Sequence, residues 1–368
     1  SRGLGDVYKR QGGKFEDYGI YTQVEQLNKT ALKSHGLDSN GQLYKINSFE
    51  FYRYEDIIKK EDDAGYDKTA FEKMLEIKGD SDHTKLIDML TDLNDYSIGI
   101  EDVLKEHFDE ENIVYWMAFQ ILMGNVDTQN RNVYLYSPLN SDIWYFIAWD
   151  NDGCLMRPEY ELRNFSDQNS WEKGISNYWG NILFQRCLKS RSFREKLNDA
   201  ILDLREYLNK DMLTSKIESY KNVLKPYLYL MPDAEYEPLT SEQYDQIAAS
   251  LPDEIEKNYQ LYLESLETPM PFYIGVPSID GDKLKFNWDV SYDLDAEDIT
   301  YSVEVAGDYL FRDVIYQNTT LTVPEAEMDL PKAGQYFVRV RATNTSGKTQ
   351  DAFDYYVTDE GKHYGCLL

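Results

Sequence analysis

Between residues 110 and 149 the apolar pattern changes from a helical period to an extended one. Ile113, Trp116, Met117, Phe119, Ile121 and Leu122 are apolar most of the way round a helix. That predicts a largely buried helix over 110–123, with Gly124 as its stop. Residues 132–136 and 142–149, rich in Val, Ile, Tyr and Trp, predict two strands. Residues 137–141, with Pro138 and Asn140, are the turn between them. Upstream, 18–24 and 43–52 alternate loosely and predict strands. YDKTAFEKMLEI at 66–77 and HTKLIDMLTDL at 83–93 carry apolar residues three and four apart, the helical spacing. Residues 100–107 predict a short helix with acidic residues in its first turn, where the helix dipole favours them. Residues 179–266 repeat the helical spacing. ETPMPFYIGVP at 267–277 is a Pro-rich boundary. KLKFNWD, ITYSVEV, TTLTV and GQYFVRVRATN then alternate between turns, which predicts an all-β domain. The fold class is therefore α+β: a short mixed region, a mainly helical region, then a β-sandwich.

Polar residues gather at the ends of the central helix and strands. Asp127 and Asn132 form D-x-x-x-x-N, and Asp150 and Asp152 follow the second strand. Each pair alone also suits a capped turn. Together they stand in the order that phosphoryl transfer uses: a carboxylate for the attacking hydroxyl, an Asn five residues on, and an Asp after a hairpin. Mg2+ prefers such hard oxygen donors and keeps waters besides.

The same residues carry a family resemblance. GNVDTQNRNVYLY followed by WYFIAWDND resembles the CotH (spore coat protein H) kinase family, whose signature is similar to GNxDxxxxNxxLY and then W-D-x-D after an apolar strand. EDYGIYTQVEQLNKTAL at 16–32, followed by GQLYK at 41–45, resembles that family's Y-G-x-Y-x-x-x-E segment. The matches span roughly residues 15–226. The resemblance implies an atypical protein-kinase-like fold with an incomplete N-terminal lobe: residues 12–58 would be its remnant and hinge, and 59–266 the helical C-lobe. It implies ATP and Mg2+ (or Mn2+) as cofactors, Asp127 as the catalytic carboxylate, and Asn132, Asp150 and Asp152 as metal ligands. Asn125 would brace the loop. Glu25 and Lys45 are candidates for cofactor binding, Glu25 through a hinge contact or ion pair and Lys45 facing phosphates; both also read as ordinary solvated charges. Val126 departs from the aromatic residue common in the family. No Phe-Gly follows Asp150 and no A-P-E anchor lies between 152 and 179, so the switching of a protein-kinase activation segment does not carry over. Beyond a linker at 267–277, residues 278–358 resemble a fibronectin type III or immunoglobulin-like sandwich, with Trp288 as its core Trp and Tyr336 as its tyrosine corner. Residues 359–368 would be a tail.

Charge narrows the partners. The 368-residue chain has 38 Lys and Arg against 66 Asp and Glu, a formal charge of −28. That argues against nucleic acid or an anionic membrane and permits a basic, Ser-rich protein substrate. The 31 Tyr suit surface recognition, glycan included, as well as packing. Cys154, Cys187 and Cys366 form no paired framework, with Cys187 in an apolar stripe that reads as core. The four His stand outside the central stretch, against a zinc site. Asp293, Asp295, Glu297 and Asp298 crowd one loop that reads as solvated rather than as a calcium site. Arg157 and Arg163, beyond the Asp150–Asp152 turn, read as surface charge rather than as binders of phosphate or an acidic substrate. No apolar run reaches the length of a membrane span. SRGLGDVYKRQ at 1–11 resembles a translated sequencing adaptor of metagenomic origin, which implies a truncated chain whose natural beginning, any signal peptide included, lies upstream.

Three functions follow. The first is a bacterial kinase that transfers the γ-phosphate of ATP to Ser or Thr hydroxyls of a spore-coat or cell-surface protein. The second is an inactive kinase-like scaffold or adhesin, with the sandwich as its binding module. The third is glycan hydrolysis by an Asp pair, which the D-x-x-x-x-N spacing does not help.

Overall fold

The computed structural model describes the backbone of residues 4–11, 14–163, 169–358 and 361–367, and the side chains of 17–163, 169–358 and 362–366. Residues 1–3 of the adaptor-like peptide, and the side chains of its remainder, lie outside the described residues. The chain runs β1 (Leu4–Gln11), β2 (Lys14–Thr22), α1 (Lys29–Ser34), β3 (Gln42–Ile46), α2 (Lys68–Met74), β4 (Leu75–Ile77), α3 (Thr84–Asn94), α4 (Ile100–His107), α5 (Glu110–Leu122), β5 (Val133–Ser137) and β6 (Tyr145–Ala148). Five further helices follow, α6 (Arg157–Leu162), α7 (Ile182–Lys189), α8 (Arg191–Tyr207), α9 (Lys210–Leu228) and α10 (Ser241–Ser250), and then α11 (Glu254–Glu267). The last part is β7 (Ser278–Asp280), β8 (Lys283–Asn287), β9 (Ile299–Ala306), β10 (Val314–Leu321), β11 (Glu325–Asp329), β12 (Phe337–Asn344), β13 (Thr349–Asp351), β14 (Tyr355–Thr358), β15 (Gly361–Tyr364) and β16 (Cys366–Leu367). Two compact units result: Ser1–Arg163 with Ser192–Lys257, and Asn164–Arg191 with Asn258–Leu368.

In the first unit a four-stranded antiparallel sheet, ordered β4-β3-β5-β6, is surrounded by helices. Helix α5 begins where Asp109 caps it, accepting from the Asn112 amide at 2.9 Å, with Glu110 and Glu111 in its first turn. It ends at Met123, and Gly124 takes φ 61°, a left-handed turn that glycine enters without strain. Its start is fastened to the edge of β6. The Asn112 side chain donates to the Phe146 carbonyl at 3.1 Å and accepts from the Phe146 amide at 2.6 Å, so an amide side chain stands in for a missing strand partner.

Two sequence expectations shift here. The helical spacing of 66–77 ends at Met74, and Leu75–Ile77 is the strand β4. Leu75 is extended (φ −133°, ψ 97°), and Tyr44↔Ile77 and Ile46↔Leu75 pair across to β3. Cross-strand pairing and burial of Leu75 override the local helical pattern. The strand expected over 43–52 stops at Ile46. Beyond it Phe51 (φ 64°) and Tyr54 (φ 38°) take left-handed backbone that no strand contains. Phe49 and Phe51 are fully buried and hold this bend down.

The second unit carries two larger antiparallel sheets, β11-β8-β7 and β10-β9-β12-β13, the latter joined by β16 on β12, and a two-stranded one, β14-β15. Phe286 and Leu284 from one sheet and Tyr301, Val303, Val305, Val338 and Val340 from the other form its core, with Trp288 among them. The chain changes sheet between β8 and β9, β10 and β11, and β11 and β12, as sandwich connections do. The Tyr336 hydroxyl donates to the Lys332 carbonyl at 2.9 Å, a tyrosine tied back to upstream backbone. Residues 361–364 pair with β14, and 366–367 with β12. Of the crowded acidic loop, Asp293 is buried and accepts from the Asn344 amide at 3.0 Å and from the backbone of Asp295 and Glu297, so it braces the loop. No described helix is long and apolar enough to cross a membrane.

One buried group in the first unit makes stability depend on pH. His83 is 1% exposed, stacked on Phe71 at 4.2 Å, with hydrogen bonds between its ring nitrogens and the hydroxyls of Tyr44 (2.8 Å) and Tyr66 (3.2 Å). Burial lowers its pKa from the usual value. The folded chain therefore keeps His83 neutral, while the unfolded chain takes up a proton below about pH 6.5. The stability this provides is complete above that pH and is lost as pH falls toward the depressed folded value. Denaturant midpoints at about pH 7.5 and 5.5 should show a smaller acid loss in His83→Gln than in the wild type. Equal losses would remove His83 from the account.

Candidate active site

Helix α5 and the β5–β6 hairpin bring the polar residues to one end of the sheet. Val133 pairs with Ala148, so the start of β5 and the end of β6 lie side by side. Asn132 immediately precedes the first and Asp150 follows the second. Both take left-handed backbone, φ 58° and 56°, a conformation that Asn and Asp adopt more readily than other non-glycine residues.

A buried amide network joins the two approaches. Asn125, 2% exposed, donates to Gln120 Oε1 at 2.9 Å and to Asn151 Oδ1 at 3.5 Å, and its own oxygen accepts from the Asp127 amide at 3.3 Å. Gln120, fully buried on α5, donates to the same Asn151 oxygen at 3.2 Å. The Leu155 amide reaches the Met123 carbonyl at 2.8 Å. Asn125 thus braces both the Asp127 loop and the turn that carries Asp150 and Asp152. Gly153 completes the fit: a Cβ there would stand 2.7 Å from Asn125 Oδ1 and 3.7 Å from Asp127 Cβ.

Within the loop both oxygens of Asp127 are held. Asn132 Nδ2 donates to Oδ2 at 2.7 Å, and Arg131 Nη2 pairs with Oδ1 at 2.6 Å. Asp150 and Asp152 are exposed, and neither makes a side-chain hydrogen bond or ion pair among the described residues. From outside, the Phe49 amide donates to the Asn130 carbonyl at 2.8 Å, and Glu50 accepts from Asn130 Nδ2 at 2.6 Å and from the Tyr54 hydroxyl at 2.8 Å. The bend at Phe51 and Tyr54 is therefore the wall that fixes the middle of the loop.

The remaining candidates lie in different places. Lys45 opposes Tyr134 on β5 and Glu76 on β4, and Tyr134 opposes Ile147 on β6. Opposed residues share a face, so Lys45 shares the face of Tyr134, two residues along β5 from Asn132. Trp149 meets Tyr134 edge-on at 5.3 Å on that face. Burial pushes the Tyr134 phenol up to about 12, so it stays neutral. Glu25 is engaged with His35 Nε2 at 2.7 Å, and its other oxygen lies 3.5 Å from the Ser34 hydroxyl. Arg157 is not surface charge. It is 18% exposed and pairs at 3.1 Å with Glu254, itself fully buried and also held by Lys257 at 2.7 Å. Arg163 does stand at the surface, on Glu159 at 2.7 Å. Burial, and then the Asp152 charge, push the Cys154 thiol up to about 12, which removes it as a nucleophile.

Sequence reasoning missed Arg131, Gln120, Asn151 and Glu50. Arg131 and Asn151 stood inside the quoted motifs, so their position was the available signal. Gln120 is a polar residue on an otherwise apolar helix, a signal in itself. Glu50 and Asn130 are 80 positions apart, and no local pattern links them.

The donor chemistry of Asn132, Asp150 and Asp152 fits a hard cation: two exposed carboxylates and a half-buried amide oxygen. Among the described residues no three His, Cys, Asp or Glu side chains gather as a ready-made cage. Mg2+ bound chiefly through substrate phosphates needs none. A family model described as CotH kinase protein matches residues 6–262, well over half of the chain. No curated protein matches.

Gly153→Ala should push Asn125 out of its network. The expected cost is about 1–3 kcal/mol by denaturation, with faster exchange of the amides at 126–128. In an Asn125→Ser background the same alanine should cost clearly less, and additive costs would show that the contact is not the cause.

Proposed function

The chain belongs to the CotH kinase family, and on that premise we propose that it is an ATP-dependent phosphotransferase. It transfers the γ-phosphate to Ser or Thr hydroxyls of a protein acceptor on the spore coat or cell surface. The observation that carries this reading is the buried Asn125–Asn151 connection, which holds Asp127 beside a turn bearing two exposed carboxylates.

Each residue has a defined task. Asp127 orients the acceptor hydroxyl and accepts its proton, with Oδ2 fixed by Asn132. The Asn132 amide can serve twice, because Nδ2 faces Asp127 and leaves Oδ1 for a cation. Asn132, Asp150 and Asp152 would hold Mg2+ or Mn2+, which supplies charge neutralisation at the phosphates. Lys45, which opposes Tyr134, would meet the nucleotide. Glu25, tied to His35, supports α1. Positioning and charge stabilisation provide most of the rate, since the loose phosphoryl transition state needs little covalent help. The acidic chain favours a basic, Ser-rich acceptor and no nucleic acid. The β-rich second unit, resembling fibronectin type III, favours a second reading as a surface scaffold or adhesin that binds a protein or glycan partner.

The test is transfer of labelled γ-phosphate from ATP and Mg2+ to a basic Ser-rich protein, or to the enzyme itself. Asp127→Ala should lower kcat by roughly 100- to 10,000-fold, and Asp150→Ala should weaken the Mg2+ dependence as well as the rate. Asp150→Ala should keep the wild-type melting temperature, and Asp127→Asn, which keeps a side chain for the Asn132 contact, should separate loss of rate from loss of loop support. A folded wild type that neither binds ATP nor transfers label would move the reading to the scaffold.

A further inference from the structure

We infer that Arg131 is a phosphate-binding catalytic residue, which rests on the reading above: its guanidinium pairs with Asp127 and passes to the phosphoryl group when substrate binds. The observation is the doubly held Asp127 carboxylate, with Arg131 Nη2 at 2.6 Å from Oδ1 and Asn132 Nδ2 at 2.7 Å from Oδ2. An ionised carboxylate keeps lone pairs beyond these two contacts, but the guanidinium crowds the Oδ1 side, and its release would clear that side for an acceptor hydroxyl.

Three facts choose Arg131. Its pair with Asp127 is half-exposed on both sides, 52% and 42%, where an ion pair is weak and screened. The Asn132 contact joins side chains five residues apart in one tight loop, while Arg131 reaches over on a long flexible stem. Finally, the guanidinium fork matches phosphate oxygens in two parallel hydrogen bonds, and a triphosphate carries more charge than one carboxylate. The competing partner is therefore the stronger one.

The step balances as follows. The acceptor oxygen–phosphorus bond forms and the β,γ-bridging oxygen–phosphorus bond breaks, its electron pair leaving with ADP. The hydroxyl proton passes to the Asp127 oxygen that Arg131 has vacated. Arg131 then stabilises charge on the equatorial phosphoryl oxygens, where a well-aimed cation is worth most.

The full chain is used, as wild type, Arg131→Ala, Arg131→Gln and Arg131→Lys, after matching their melting temperatures. Two readouts separate this inference from the reading beneath it: γ-phosphate transfer, and calorimetric binding of tripolyphosphate with Mg2+. Expected is a loss of kcat of about 100-fold or more in the Ala and Gln variants, with partial recovery in Arg131→Lys, and at least tenfold weaker tripolyphosphate binding. If the wild type transfers label and Arg131→Ala does so within about twofold, the inference falls and the phosphotransferase reading stands. If the wild type transfers nothing but binds tripolyphosphate through Arg131, the phosphate contact stands, and the catalytic role falls together with that reading. A wild type that does neither overturns both.

Discussion

One buried amide sets the rest of the site. Asn125 is buried between α5, the Asp127 loop and the turn after β6, where it meets Gln120, Asn151, the Asp127 backbone and the Thr128 hydroxyl. In such surroundings an unmade hydrogen bond costs far more than a made one gains. The loop and the turn are therefore not free to choose their positions independently. A shift of either strands a polar atom. Packing enforces the same limit, because Gly153 lies where any side chain would strike Asn125. The Asp150 and Asp152 carboxylates can then stay exposed at their tips, since their backbone is fixed from behind.

Much of this frame was legible in the sequence because its determinants are local. Residues 110–123 announce a helix by their apolar content and by Gly124 as stop. The hairpin announces itself by β-branched and aromatic residues around Pro138 and Asn140. Once those elements exist, the register of β5 with β6 brings Asn132 and Asp150 to one end. What was not legible depends on partners distant in sequence. The strand β4 exists because β3 offers it hydrogen bonds, against the helical spacing of its own residues. Arg157 reads as a surface cation until Glu254, 97 residues on, appears fully buried beside it. Removing either partner would leave a buried charge, which is why such pairs persist once formed.

Backbone strain is concentrated at the same place. Asn132, Asp150, Phe51 and Tyr54 all take positive φ. Each such residue costs of order 1 kcal/mol, and the surroundings must over-determine it to keep it. Phe51 is held by burial and Tyr54 by Glu50, which also grips Asn130. Asn132 is held by Asp127 on one side and by the start of β5 on the other. The strain therefore encircles the Asp127 loop rather than being scattered through the unit.

Electrostatics decide how such a site can work at all. The chain carries a formal −28, and the loop and turn present three carboxylates within a short span. A nucleotide triphosphate approaching that surface meets repulsion at long range, screened beyond roughly 8–10 Å at ordinary ionic strength. Attraction has to be local. A cation held by hard oxygens supplies part of it, and the Arg131 guanidinium, already within the site, can supply more without adding to the protein's charge. On the proposed reading, the Coulomb term that opposes the nucleotide would draw a basic acceptor, and the balance between the two would be set by the few cations closest to Asp127 rather than by the net charge of the chain.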